Sequence, residues 1–408
     1  MLKLFPIALA LAAATAFSAD IDVIAQAAPS GKKTVSVAAI SGVPEAVKTF
    51  SAVLADDLKR SGWFTPVAGA QAAVVLSGEV SYDASSKYRA SVAVTFMGGA
   101  RREFWGLSFA PDKMRDAAHA LADFVTEKVE GKPGMASSKI LFVGRQGAAS
   151  EIYQCDADGQ RVRRITSDGK LCMSPAWFHN ENAFLYTSWL SGFPAIYKVN
   201  LNDNRRELVA SYPGMNQGAS PSPDDRLMAL VLSRSGGVDL WVQNLETRKL
   251  NRVTASKGVN EASPAWSPNG ENIVFTSDEG GLPRVHMMSV MDKTPRRLVR
   301  SSVIRESSAP EWGADGRIVF CGRVDGAYKI FVTDASGSEP VLVSPDDGAH
   351  YEDPSWAPDN RHIVCTRTSN YQRSLVILDT LGDLPQQLLN VSGEWYLPQW
   401  SRKNTPLR

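Results

Sequence analysis

Ser263-Pro264-Ala265-Trp266-Ser267-Pro268-Asn269-Gly270, followed by Ile273-Val274-Phe275-Thr276, is the stretch whose reading decides the fold. Its first half recurs as Ser174-Pro175-Ala176-Trp177, Ala309-Pro310-Glu311-Trp312, Asp353-Pro354-Ser355-Trp356 and Leu397-Pro398-Gln399-Trp400. A degenerate copy, Ala219-Ser220-Pro221, fills the gap: Pro223 aligns with Pro268, and Pro221 stands where the other copies have Trp. The landmark positions 177, 221, 266, 312, 356 and 400 are 44, 45, 46, 44 and 44 residues apart, a period that belongs to repeat architectures.

The interior of the repeat reads as β. Pro268-Asn269-Gly270 is a turn, with proline where its fixed φ helps and glycine where φ is positive. Ile273 to Thr276 is then a buried strand, Arg284 to Val290 alternates as a third strand beyond the Asp278-Glu279-Gly280-Gly281 turn, and Arg296 to Val299 is a fourth. Counterparts recur at Ile318-Val319-Phe320, His362-Ile363-Val364 and Leu227 to Leu232. A four-stranded antiparallel unit repeated radially is a propeller blade. The last landmark is an innermost strand with no blade after it, and Ile140 to Val143, Ile152 to Gln154 and Val162 to Ile165 are three strands with no landmark before them. Together they make a sixth blade, so the expectation for residues 135–408 is a six-bladed all-β propeller fastened by its C-terminal strand, with the landmark Trp residues packed between blades.

Residues 20–134 follow another pattern. Thr34 to Ile40 reads as a strand. Pro44 to Arg60 is an amphipathic helix through Val47, Phe50, Val53, Leu54 and Leu58. Val74 to Tyr82, Tyr88 to Met97 and Phe104 to Phe109 read as three strands, and Pro111 to Val129 as a second helix buried through Met114, Ala118, Leu121, Phe124, Val125 and Val129. This order predicts a small α/β domain with two helices on a sheet, joined to the propeller by Gly131-Lys132-Pro133-Gly134. His119, beside the apolar stripe, is expected to be solvated.

Lys3 followed by the apolar run from Leu4 to Ala14 and small residues to Ala19 reads as a signal peptide over residues 1–19. The run is too short to span a bilayer. The small-x-small rule favours cleavage after Ala16, and Ala19 is the other candidate. With 44 Lys plus Arg against 43 Asp plus Glu, the formal charge of +1 lacks the basic footprint that nucleic-acid binding requires. Of the four cysteines, Cys321 and Cys365 each fall nine residues after a landmark Trp, which places them at equivalent points of neighbouring blades and too far apart to pair. Cys155 and Cys172 are either a disulfide or buried free thiols.

No Gly-x-Ser-x-Gly elbow occurs, and the chain stops after the closing strand, so neither a propeller enzyme nor a two-domain peptidase finds its chemistry. The five histidines, at 119, 179, 286, 350 and 362, sit at unrelated offsets from the landmarks and do not form a ring of metal ligands. No catalytic residue, metal or cofactor is expected.

An exported α/β domain followed by a six-bladed propeller with Ser-Pro-Ala-Trp landmarks resembles the TolB family, periplasmic components of the Tol–Pal system. The resemblance rests on Ser263 to Gly270, Ile273 to Asp278 and the closing Leu397-Pro398-Gln399-Trp400-Ser401. It implies a non-enzymatic, monomeric interaction hub, peripheral to the envelope and without a transmembrane helix, that supports outer-membrane integrity and cell division. One propeller face would bind the peptidoglycan-associated lipoprotein Pal through the loops before each landmark: Met215, Asn216, Gln217 and Gly218; Asn260, Glu261 and Ala262; Arg305 and Glu306; His350, Tyr351 and Glu352; Trp395 and Tyr396. The mature N-terminus, Asp20, Ile21, Asp22, Val23 and Ile24, would engage TolA, and its alignment with the family's start favours cleavage after Ala19.

Read as residues, the same loops gather Tyr212, Tyr351, Trp395 and Tyr396 with Glu261, Glu306, Glu352 and Glu394, a mixture suited to protein recognition and to a partner carrying Lys or Arg. An exported propeller that binds carbohydrate or senses the envelope is the alternative, since aromatic loop residues also stack on sugars.

Overall fold

The computed structural model describes residues 31–69, 71–82, 86–96, 101–255 and 257–404. The leader, the Asp20 to Ile24 segment and Met97 lie outside the described residues. The N-terminal region runs β1 (Lys33–Gly42), α1 (Pro44–Arg60), β2 (Phe64–Pro66), β3 (Val74–Tyr82), β4 (Tyr88–Phe96), β5 (Arg102–Phe109) and α2 (Met114–Glu130). The sheet order is β2-β1-β3-β4-β5, with β1 parallel to both of its neighbours and the rest antiparallel.

Proline at the head of α1, Glu45 in its first turn and Lys59 and Arg60 in its last suit the helix macrodipole. The second helix stops at Gly131, whose φ of 66° caps it in the left-handed region. Phe50, Leu54 and Leu58 of α1 and Ala118, Leu121 and Val125 of α2 share one core with the sheet. Two features depart from the expected order. The three-residue β2 adds a fifth strand, too short for period-2 alternation to reveal. His119 is fully buried rather than solvated, because a second surface covers that side of α2.

Six four-stranded sheets follow. Blade 1 comprises Cys172–Trp177, Ala183–Ser188, Ala195–Asn200 and Arg206–Ala210, and blade 2 comprises Asn216–Pro221, Leu227–Leu232, Asp239–Asn244 and Leu250–Arg252. Blade 3 is Glu261–Trp266, Asn272–Ser277, Arg284–Ser289 and Arg296–Arg297; blade 4 is Glu306–Trp312, Arg317–Val324, Ala327–Asp334 and Val341–Leu342. Blade 5 is His350–Trp356, His362–Ser369, Gln372–Asp379 and Gln386–Gln387. Blade 6 is assembled from both ends: Trp395–Trp400 pairs antiparallel with Lys139–Gln146, followed by Ala149–Asp156 and Arg163–Arg164. The backbone N–H of Ser401 donates to the Lys139 carbonyl at 2.8 Å, and the Trp400 indole donates to Ser138 Oγ at 2.7 Å.

Each landmark Trp lies between two blades. Trp312 packs on Val274 and Val285 of blade 3 and on Phe320 of its own blade, and Trp400 joins Val364 and Leu375 of blade 5 to Phe142 of blade 6. The copy that lost its Trp is compensated elsewhere: Phe178, the residue after Trp177, fills the layer between blades 1 and 2 with Leu185, Met228 and Leu230. All four cysteines are buried free thiols.

Candidate functional site

Because every blade is antiparallel and every inner strand starts from the previous blade's outer strand, the loops before the landmarks emerge on one face of the disc. The turns between second and third strands share that face. The landmark Trp residues point toward the other face, where the N-terminal region docks. Arg115 binds Asp158 and Arg161 binds Asp116, joining α2 to blade 6, and Lys32 reaches Asp383 of blade 5 at 2.7 Å. None of the described residues of the N-terminal region covers the face carrying the pre-landmark loops.

A repeated distortion shapes the channel. Three residues before each landmark position, φ is positive in all six copies: Ser174, Gly218, Ser263, Ala309, Asp353 and Leu397 lie between 48° and 62°. Each inner strand shifts register there, a β-bulge, and in five copies the next residue is a proline that has no N–H to offer the broken ladder. These bulges line a central cavity of roughly 150 Å³. Near its N-terminal-region end, Glu311 accepts from the Trp356 N–H at 3.1 Å and from Gln399 Nε2 at 2.7 Å, and pairs with Arg402 at 3.3 Å. One carboxylate thereby ties blades 4, 5 and 6.

The residues expected at the open face divide into two groups. Asn216, Glu261 and Tyr351 are buried and committed internally. Asn216 exchanges hydrogen bonds with the Tyr212 backbone, and Tyr351 donates to Asp347 at 3.0 Å while Arg367 donates to its hydroxyl. Glu261 accepts from Thr254 Oγ1 at 2.8 Å, and burial, with Asp239 nearby, pushes its carboxyl up to about 7. Met215, Asn260, Ala262 and Arg305 are exposed; Gln217, Gly218, Glu306, His350, Glu352, Trp395 and Tyr396 are half-buried. Trp395 stacks edge-on against Phe142 and Tyr153, and Arg373 covers Tyr396 at 5.0 Å. Arg323 pairs with Glu306 at 2.9 Å and Arg145 with Glu394 at 3.6 Å. Among the described residues, Glu352 and its neighbour Asp353 have no ion pair, and burial together with Glu352 lifts the Asp353 carboxyl to about 6.

The expectation from sequence omitted the most exposed members of this face. Phe193, Leu282 and Tyr371 project from turns between second and third strands, and Leu171 and Val391, beside the expected Met215, from loops before inner strands. Tyr371 is 99% exposed and Phe193 51%. For Phe193 and Leu282 the sequence signal is an apolar residue held between Gly and Pro, in Gly192-Phe193-Pro194 and Gly281-Leu282-Pro283. Exposed apolar groups sharing one face with polar loops are the composition of an interaction surface.

Among the described residues, two clusters hold metal-capable atoms within 4.8 Å of one another: the buried Asp57, His119 and Asp158, and Glu151, the half-buried Asp168 and Cys172. In the second, Glu151 accepts from Thr166 Oγ1 and the backbone N–H groups of Asp168 and Gly169, and Asp168 accepts from Ser188, Tyr186 and Arg206. Those lone pairs are filled by protein donors, and burial pushes the Cys172 thiol up, away from the thiolate a metal needs. In the first, Asp158 accepts from Arg115 and from the Gln160 N–H. Both are hydrogen-bond networks rather than open ligand sets.

A family model described as the TolB beta propeller domain matches residues 126–404. Over 307 residues the chain is 28% identical to the Tol-Pal system protein TolB of Francisella tularensis subsp. tularensis, strain WY96-3418, covering 71% of this chain and 70% of that one. The crystal structure of TolB from Acinetobacter baumannii superimposes with a TM-score of 0.83 at 23% identity, covering 92% of this chain and 98% of that chain. The structure of a putative TolB from Agrobacterium tumefaciens gives 0.52 at 17% identity, over 66% and 92%. At these identities the structural likeness speaks for the fold.

Proposed function

The chain belongs to the TolB β-propeller family, and on that premise we propose that it is an exported periplasmic component of a Tol–Pal system that works by binding rather than catalysis. In this reading residues 1–19 direct export, the open propeller face binds a Pal-like lipoprotein, and Asp20 to Ile24 engage a TolA-like inner-membrane protein. The assembly would support outer-membrane integrity and cell division.

The observation that carries the reading is the asymmetry of the disc. One face is occupied by the N-terminal region, while the other presents Phe193, Met215, Leu282 and Tyr371 as exposed apolar groups. Glu352 and Asp353 supply charge there that is in no ion pair among the described residues, which suits a partner segment carrying Lys or Arg.

Calorimetric titration with the soluble domain of a Pal-like lipoprotein tests this reading. Phe193→Asp with Tyr371→Asp is expected to weaken binding at least tenfold, on the order expected for hot-spot aromatics, without lowering Tm. Deleting residues 20–24 is expected to abolish capture by a TolA-like domain and leave Pal binding unchanged. Binding of soluble peptidoglycan fragments, with none to the lipoprotein domain, would favour the carbohydrate-binding alternative.

A further inference from the structure

The joint between the N-terminal region and the propeller contains a histidine that the binding reading does not use. His119 of α2 is fully buried, and so are Asp57 of α1 and Asp156 at the end of a blade 6 strand. Its Nδ1 lies 2.6 Å from Asp57 Oδ2. Its Nε2 lies 3.8 Å from Asp156 Oδ2 and has no hydrogen-bond partner.

We propose that His119 is a proton-operated latch: charged, its imidazolium bridges Asp57 and Asp156 across the joint, and neutral, it leaves the joint loosened.

The argument is one of donors and acceptors. A neutral imidazole that donates from Nδ1 to Asp57 must present a bare lone pair at Nε2. That lone pair would face a carboxylate oxygen, so two acceptors would confront each other in a buried space. A second proton turns Nε2 into a donor aimed at Asp156. Burial alone disfavours the charged ring, but hydrogen bonding and the surrounding carboxylates prevail and raise the group to about 9.

The other charged groups around the ring come from each packed element. On α2 these are Arg115, Asp116 and Asp123; on blade 6 they are Lys139, Asp158 and Arg161. Lys139 Nζ donates to Asp156 Oδ1 at 2.7 Å and Arg161 Nε to Oδ2, so Asp156 stays ionised, held well below the usual carboxylate range. Asp123, raised by burial to about 6, accepts from the backbone N–H groups of Ala136 and Ser137. A metal in place of the proton would need free oxygen lone pairs, and those of Asp156 and Asp158 already accept from arginine, lysine and backbone donors.

The sign follows from linkage. The docked value near 9 stands above the ordinary 6.5, so the contribution of His119 to docking is complete below 6.5 and is lost as pH rises through about 9. Within that window the docking constant falls by up to about tenfold per pH unit.

The full chain is labelled with a donor–acceptor dye pair at Lys48→Cys on α1 and Met291→Cys on blade 3; both native positions are exposed and the four native cysteines are buried. Energy transfer and the His119 ring resonance are followed together without any partner. The expected result is a distance that lengthens between pH 6.5 and about 9 in step with the resonance, and no pH dependence in His119→Gln. A distance that stays flat while the ring titrates, or a slope retained in His119→Gln, overturns the proposal. Asp156→Asn guards against misfolding of the first variant: it is expected to move both the ring titration and the opening to lower pH, and an unmoved midpoint also overturns the latch.

Discussion

The guanidinium of Arg361 lies 4.3 Å from the centre of the Trp63 ring while its Nη2 donates to Asp379 at 2.6 Å and its Nε to the same carboxylate at 3.0 Å. Arg361 belongs to a turn of blade 5 and Trp63 to the segment after α1, so one planar cation is sandwiched between the two halves of the chain. Its Nη2 also approaches the Gly62 carbonyl at 3.4 Å. Stacking and a fork-shaped ion pair are made together only by arginine.

Arg361→Ala is therefore expected to destabilise the protein by about 3–5 kcal/mol, because the buried Asp379 loses the guanidinium that pairs with both of its oxygens. Arg361→Lys is expected to recover only part of the loss, since an ammonium cannot both stack and fork. Urea unfolding of both variants measures this, and equal stability of Lys and wild type would refute the role given to the planar group.

Phe178 is predicted to matter as much as a landmark Trp. Phe178→Ala and Trp400→Ala are each expected to cost about 3–5 kcal/mol, the range for deleting a buried aromatic ring. A loss below about 1 kcal/mol for Phe178→Ala, at the low end of core truncations, would mean that the layer between blades 1 and 2 collapses to refill the space.

The bulge positions offer a test of backbone strain. Ala309, with φ of 48°, sits where glycine is at ease, so Ala309→Gly is expected to stabilise by roughly 1 kcal/mol. Gly218→Ala should cost a similar amount through the backbone, since the added methyl would find its nearest neighbour at an ordinary 3.7 Å. Thermal unfolding of the pair, with opposite signs expected, decides it.

Glu261 gives the open face a pH-dependent element beneath its surface. Its carboxyl rises from 4.5 to about 7 in the folded protein, so the native state holds a proton that the unfolded chain has released, and stability falls as pH rises from 4.5 through 7. Glu261→Gln, permanently neutral, is expected to flatten that fall and to be more stable than wild type above pH 7. Parallel slopes for the two proteins in urea titrations across this range would exclude it.

Several site residues illustrate why the face was only partly legible in sequence. Tyr351 and Glu261 have the same chemistry as exposed recognition residues. Their burial follows from Asp347, Arg367 and Thr254, which the blade geometry brings alongside. Tyr371 and Phe193 stand in turns beyond the second strands of their blades, away from the landmark residues, and their placement on the same face as the pre-landmark loops depends on the circular arrangement of the blades.

The six-fold repeat, the four strands of each blade and the closure by Leu397 to Trp400 were determined by the sequence alone, because Pro and Trp at a fixed period near 44 residues dictate local turns and inter-blade packing wherever they occur. The tertiary structure alone decided which side of α2 is covered. Helical periodicity places His119 at the border of an apolar stripe, but that border is buried only because Asp156 and Arg161, more than thirty residues on, close over it. Local pattern records which face of a helix avoids water; what docks on the remaining faces, and the charge it brings, is set by contacts between distant segments that no single stretch of chain encodes.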